Sequence, residues 1–148
     1  MAKAIDVAKY LIIRATKDED PITHIKLQKL CYYALGVFSK LSNGKKLFSE
    51  NVEAWPHGPV VRDVYKQFSK SKSNFLKISE DYSDLQLTES EKEAIGETYK
   101  HFSQYSAWKM RNLIFEEDPW KDNFEENKKN IIPFKDIKNF FDKALTIL

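Results

Sequence analysis

Apolar residues along this chain recur at steps of three and four through most of its length, a spacing that places them on one face of an α-helix. Ala4, Ala8, Leu11 and Ala15, joined by Ile5 and Ile12, predict a first helix that Asp18-Glu19-Asp20-Pro21 interrupts. Thr23 is then placed to cap a second helix by accepting hydrogen bonds from the free N–H groups of its first turn. Within that helix Leu27, Leu30, Cys31, Ala34, Phe38 and Leu41 form an apolar stripe, which Asn43-Gly44 closes. A weak strand signal lies around Asn51 to Trp55. Pro59, whose missing N–H is not needed at a helix start, suits the first residue of a third helix. Val60, Val64 and Phe68 would line one face of it, with Val61 and Tyr65 beside them.

Residues 69–84 read as loop. Thr88-Glu89-Ser90-Glu91 matches a capping box, and the helix it opens carries Ile95, Tyr99 and Phe102. Ser106 caps another, with Ala107, Met110, Leu113 and Ile114 inward. Asp118-Pro119 opens a short, mostly polar helix. Pro133 opens the last, which buries Phe134, Ile137, Phe141, Ala144 and Leu148. Only four glycines in 148 residues argue against an extensive sheet with tight hairpins. The expectation is a mainly α fold, a compact bundle of about six helices with at most one small β-hairpin, in a single domain over residues 1–148.

Composition sharpens this picture. At 42% hydrophobic and 14% aromatic residues, the chain has the material for a true core. Its one cysteine, Cys31, rules out an internal disulfide framework and suits a reducing compartment. Inside the apolar stripe that thiol would be an inert small hydrophobe with a raised pKa. The first residues lack the long apolar region of a leader, and no apolar run approaches the ~20 residues of a membrane span. The expected location is cytoplasmic, away from membranes. A net charge of +2, from 24 basic and 22 acidic residues, does not announce a nucleic-acid binder.

Candidate chemistry is sparse. His24, His57 and His101 show no metal-ligand spacing, and neither a glycine-rich phosphate loop nor a nucleophile elbow occurs, so neither metal nor cofactor is expected and the chain does not read as an enzyme. Glu116-Glu117-Asp118 could serve acid–base chemistry; the plainer reading makes Asp118 a helix cap and leaves the other two solvated or favouring the positive end of the next helix. Between Asp63 and Glu80 sixteen residues carry no acid but include Lys66, Lys70, Lys72 and Lys77. That run is either a solvated loop or a surface for an acidic partner.

The densest stretch is Glu53-Ala54-Trp55-Pro56-His57-Gly58-Pro59-Val60-Val61-Arg62. Two prolines fix φ and Gly58 permits a conformation that other residues avoid, which makes a stiff corner. His57 would stand near the N-terminus of the third helix, whose exposed N–H groups disfavour its protonated form. Gly58, Pro59, Tyr65, Pro119 and Trp120 read as structural. Trp55, His57, Arg62, Lys66, Lys70 and Trp108 read as a partner-facing set, with Arg62 on the outer face. A purely structural joint stands beside that reading.

Three blocks also carry a family resemblance. Ile22-Thr23-His24-Ile25-Lys26-Leu27-Gln28-Lys29-Leu30-Cys31-Tyr32-Tyr33-Ala34, then Glu53 to Val60 followed by Val64-Tyr65, then Ser106-Ala107-Trp108 leading to Glu117-Asp118-Pro119-Trp120, resemble in order and spacing the Panacea antitoxin domain, a SocA-like, phage-associated family. Many members carry threonine and histidine where this chain has Ile114-Phe115. The resemblance implies an antitoxin that binds and neutralises a cognate protein toxin without catalysis. It leaves two alternatives: an adaptor that delivers its partner to a ClpXP-type AAA+ protease, as one member is associated with, or a phage protein that inhibits a host factor.

Overall fold

The computed structural model describes residues 1–144. The mainly α fold follows from the apolar periodicity: seven α-helices among the described residues, and one small antiparallel sheet. The elements are α1 (Ala4–Lys17), α2 (His24–Leu41), β1 (Val52–Trp55), β2 (Gly58–Val61), α3 (Arg62–Phe68), α4 (Glu89–Phe102), α5 (Ala107–Phe115), α6 (Asp118–Lys121), β3 (Asn130–Ile132) and α7 (Phe134–Ala144). Thr23 caps α2, while Thr88 and Glu91 form the capping box of α4 and Ser106 caps α5. Asn43 and Gly44 take φ of +61° and +101° and end α2. The expectation for Leu148 lies outside the described residues.

Helix α2 is the axis of the molecule. It packs against α1, α4, α5, α7 and β2, and every residue from Leu27 to Ser39 is buried. A helix covered on all sides has no solvent face, so a polar side chain on it either finds a partner inside the protein or is buried at a cost. Helix α7 comes close at Gly36, where a Cβ would stand 2.2 Å from the ring of Phe141. Cys31 is wholly buried among apolar neighbours, and that burial pushes its thiol pKa far up.

Several elements differ from the periodicity reading. Pro59 opens no helix. Pro56 and His57 form a two-residue turn, and Gly58, at φ +133°, reverses the chain so that Gly58–Val61 pairs with β1 in the register Trp55↔Gly58 to Val52↔Val61. Proline is tolerated there because β2 is an edge strand. The third helix therefore starts at Arg62, and Val60 reaches the core from the strand while Val64 and Phe68 reach it from α3. A third strand, Asn130–Ile132, pairs on the other side of β1. Leu41 and Leu113 end up exposed, since the core stops at Phe38 on α2 and at Met110 and Ile114 on α5. Residues 69–84 are a connection with two short 3-10 turns, tied to α1 by ion pairs Lys9–Glu80 at 2.5 Å and Lys17–Asp81 at 3.2 Å.

Candidate functional site

The polar residues of α2 reach both of the other sequence blocks. Gln28 lies opposite the free edge of β2, and its Oε1 accepts the Val61 N–H at 2.9 Å while its Nε2 donates to the Val61 carbonyl at 3.3 Å. The side-chain amide thus stands in for a neighbouring strand and satisfies an edge that would otherwise be buried unpaired. Its second N–H points to His24 Nε2 at 3.0 Å. An amide NH2 only donates, so His24 accepts at Nε2 and carries its proton on Nδ1. Burial first, then the charges of His57 and Lys29, lower the His24 pKa to about 4 and keep the ring neutral.

Midway along α2, Tyr33 and Tyr32 donate to the two oxygens of Glu117 at 2.9 and 3.3 Å. Burial raises the Glu117 pKa, the two hydroxyls oppose it, and the result is about 7. This corrects the reading of the acidic triplet: Glu117 is neither solvated nor a dipole partner but an internal acceptor. Asp118 is not the cap either. Glu117 occupies the N-cap position, and Asp118 is the first helical residue, paired at the surface with Lys121. Pro119 and Trp120 are buried behind them, and Trp120 Nε1 donates to the Trp55 carbonyl at 2.9 Å. Ile114 and Phe115 pack into the same corner, with Phe115 stacked on Trp120 at 4.3 Å.

The hairpin presents a different face. Trp55 is only 7% exposed: its indole N–H donates to Glu53 at 2.8 Å, and its ring lies between Tyr65, Arg62 and Lys129. It is therefore a packing residue at the edge of the core, with little surface left for a partner. Arg62 does not stand free, since it holds Glu53 through two contacts of 2.7 and 3.2 Å. Burial alone would raise the Glu53 pKa, but hydrogen bonds from Arg62 and Trp55 bring it below the usual carboxylate value. His57 sits at the exposed tip of the hairpin rather than at a helix end. Its pKa is lowered, as expected, although the causes are partial burial and the nearby charges of Lys29 and Arg111 instead of a helix dipole.

The structure thus gathers Trp55, His57, Arg62 and Tyr65 around one hairpin. Lys66 and Lys70 extend into solvent from α3 and the turn after it. Trp108 stands on α5 with 70% of its surface in water. Sequence reasoning missed Lys29, Gln28 and Glu117 as polar residues of consequence. The available signal was their place among apolar neighbours: Gln28 and Lys29 sit inside the stripe of a helix with no polar face.

A family model described as "Antitoxin SocA-like, Panacea domain" matches residues 27–121, a span that holds Gln28, Lys29, the hairpin and Glu117. The chain is also similar to Antitoxin SocA of Caulobacter vibrioides (strain NA1000 / CB15N), at 37% identity over 70 residues. That match covers 47% of this chain and 37% of the relative's length. No solved structure matches.

Proposed function

This chain belongs to the SocA-like Panacea domain family, and from that premise we propose that it is an antitoxin, which neutralises a protein toxin by binding it directly and not by catalysis. The observation that carries this reading is the family match across the three interlocked sequence blocks. Surface composition agrees with it. Trp108, a large ring largely in water on α5, is the kind of side chain that anchors protein interfaces once a partner covers it. The same face carries Arg111, whose guanidinium lies 4.5 Å from the centre of the Phe115 ring.

The test is co-expression with the product of the neighbouring gene. That product should arrest growth alone, and this chain should restore growth and co-purify with it. Trp108→Asp should leave the melting temperature nearly unchanged and weaken the complex about tenfold or more, the effect of losing an interface anchor. A harmless neighbour that does not associate with this chain would overturn the antitoxin reading. Restoration of growth with the toxin degraded, and without a stable complex, would assign the adaptor role instead of direct blocking.

A further inference from the structure

Between the first turns of α2, the β1–β2 turn and the segment after α3 lies a cleft of about 190 Å3, lined by His24, Gln28, Lys29, His57, Tyr65 and Lys72 among others. Its floor holds an unusual group. Lys29 is 1% exposed, and its ammonium runs beneath the hairpin, about 3.8 Å from where a Cβ on Gly58 would be. Among the described residues no carboxylate pairs with it. The charged neighbour that acts on it is another cation, Arg111. His57 in turn feels Lys29 and Arg111, and His24 feels His57 and Lys29, with no acidic group acting on any of the three. A buried ammonium without a counter-charge is costly, and proteins ordinarily pair or neutralise it.

We propose that this cleft binds a single oxyanion, a carboxylate or phosphate group, with the Lys29 ammonium as its charged contact and Lys72 and His57 at its mouth. The volume admits one such group with a few waters but not a nucleotide lying within it. Gln28 is not a contact, because its amide is already engaged by Val61 and His24; it holds the wall in place. Gly58 is required for its φ of +133°, and a Cβ there would only touch the lysine's terminal atoms at 3.6 and 3.8 Å, ordinary contact distances. The proposal stands whether or not the protein neutralises a toxin.

The histidines supply the readout. His24 and His57 line the cleft, whereas His101 lies on α4 beside Glu97 and serves as an internal control. The full-length chain, labelled at its histidine rings, is titrated by NMR with inorganic phosphate and, separately, with glutarate at constant ionic strength. Saturable shifts of His24 and His57, with His101 unmoved, are the expected result. Saturation by phosphate alone names a phosphate-bearing ligand, and saturation by glutarate alone names an acidic side chain; either supports the site. Lys29→Met, close in volume and freed of the charge, should weaken binding about tenfold or more, as expected when a charge-assisted contact is lost. Lys72→Gln, at an exposed position, should weaken it about threefold, the smaller effect of a charge in contact with water. No saturation by either anion below about 10 mM, where even a weak specific site would fill, overturns the proposal. So does unchanged affinity in Lys29→Met, or, if that variant does not fold, in Lys72→Gln.

Discussion

Lys29, His24 and Glu117 each fold into a state their chemistry opposes, and pH exposes this. Glu117 has its pKa raised from 4.5 to about 7, so between those values the folded protein holds more protons at this site than the unfolded chain, and its contribution to stability falls as pH rises through the window. His24, lowered from 6.5 to about 4, acts in the opposite sense between pH 4 and 6.5, where stability rises with pH. The two partly cancel in the native protein. Glu117→Gln removes one of them, so its urea midpoint should climb with pH between about 5 and 6.5 more steeply than that of the native protein. Parallel profiles would show that Glu117 titrates normally. Lys29 behaves like His24 at higher pH: its pKa falls from 10.5 to about 8, so stability rises as pH passes from 8 to 10.5. Lys29→Met should therefore stabilise the protein at pH 7, by up to about 3 kcal/mol, with the gain shrinking toward pH 10. An equal or lower midpoint for that variant in urea at pH 7 would contradict the account of an uncompensated charge. Gly58→Ala should cost about 1–3 kcal/mol from its φ of +133°, measured the same way.

At the level of elements, two contacts decide where α7 and the hairpin sit. Alanine normally favours a helix over glycine by about 1 kcal/mol, so propensity alone makes Gly36→Ala stabilising. The structure reverses this, because the new Cβ would lie 2.2–2.5 Å from three atoms of the Phe141 ring. A net loss of about 2 kcal/mol is expected, since neither the buried ring nor the α2 backbone can yield cheaply. Pairing it with Phe141→Leu should recover part of that loss. If Gly36→Ala alone raises the thermal midpoint, α2 and α7 do not meet there. The hairpin depends on α2 in another way. Gln28→Leu fills the same space but leaves the Val61 N–H and C=O buried without partners, at a cost of about 1–3 kcal/mol.

Across the whole molecule, the three sequence blocks form one interlocked polar framework. Gln28 joins the first block to the hairpin, Tyr32 and Tyr33 join it to Glu117, and Trp120 joins the third block back to the Trp55 carbonyl. Much of this motif is therefore spent on holding α2, the hairpin and the α5–α6 corner together, which leaves few of its residues for a partner. Arg62→Glu illustrates the consequence. It would set a second acid against Glu53 and cost up to about 1 kcal/mol, so it is a poor probe of partner binding. Trp108→Asp, outside the framework, is the cleaner probe. The far-ultraviolet circular dichroism spectrum should be dominated by helix, and Cys31 should label slowly with thiol reagents in the folded state; fast labelling at neutral pH would put it outside the core. No helix among the described residues is long and apolar enough to cross a membrane.

Local rules are legible in the order of residues. The caps Thr23, Thr88 and Ser106, the stop at Asn43-Gly44, the helical stripes and the burial of Cys31 all follow from groups a few positions apart, because a helix satisfies its own backbone and presents its faces at a fixed period. Pro59 suggests a helix start that the structure moves to Arg62, for a related reason: proline and glycine announce a corner but not which strand the chain will meet beyond it. Strand β3 has three residues and no pattern of its own, so only the free edge of β1 makes it a strand. The roles of Gln28, Lys29 and Glu117 were invisible for a stronger reason. Their partners lie 33 residues away for Gln28 and 84 or 85 for Glu117, and Lys29 has no carboxylate partner among the described residues. Periodicity says that a position faces inward. Only the tertiary structure decides what a polar group meets there, because burial turns an ordinary lysine or glutamate into one whose charge depends on its neighbours.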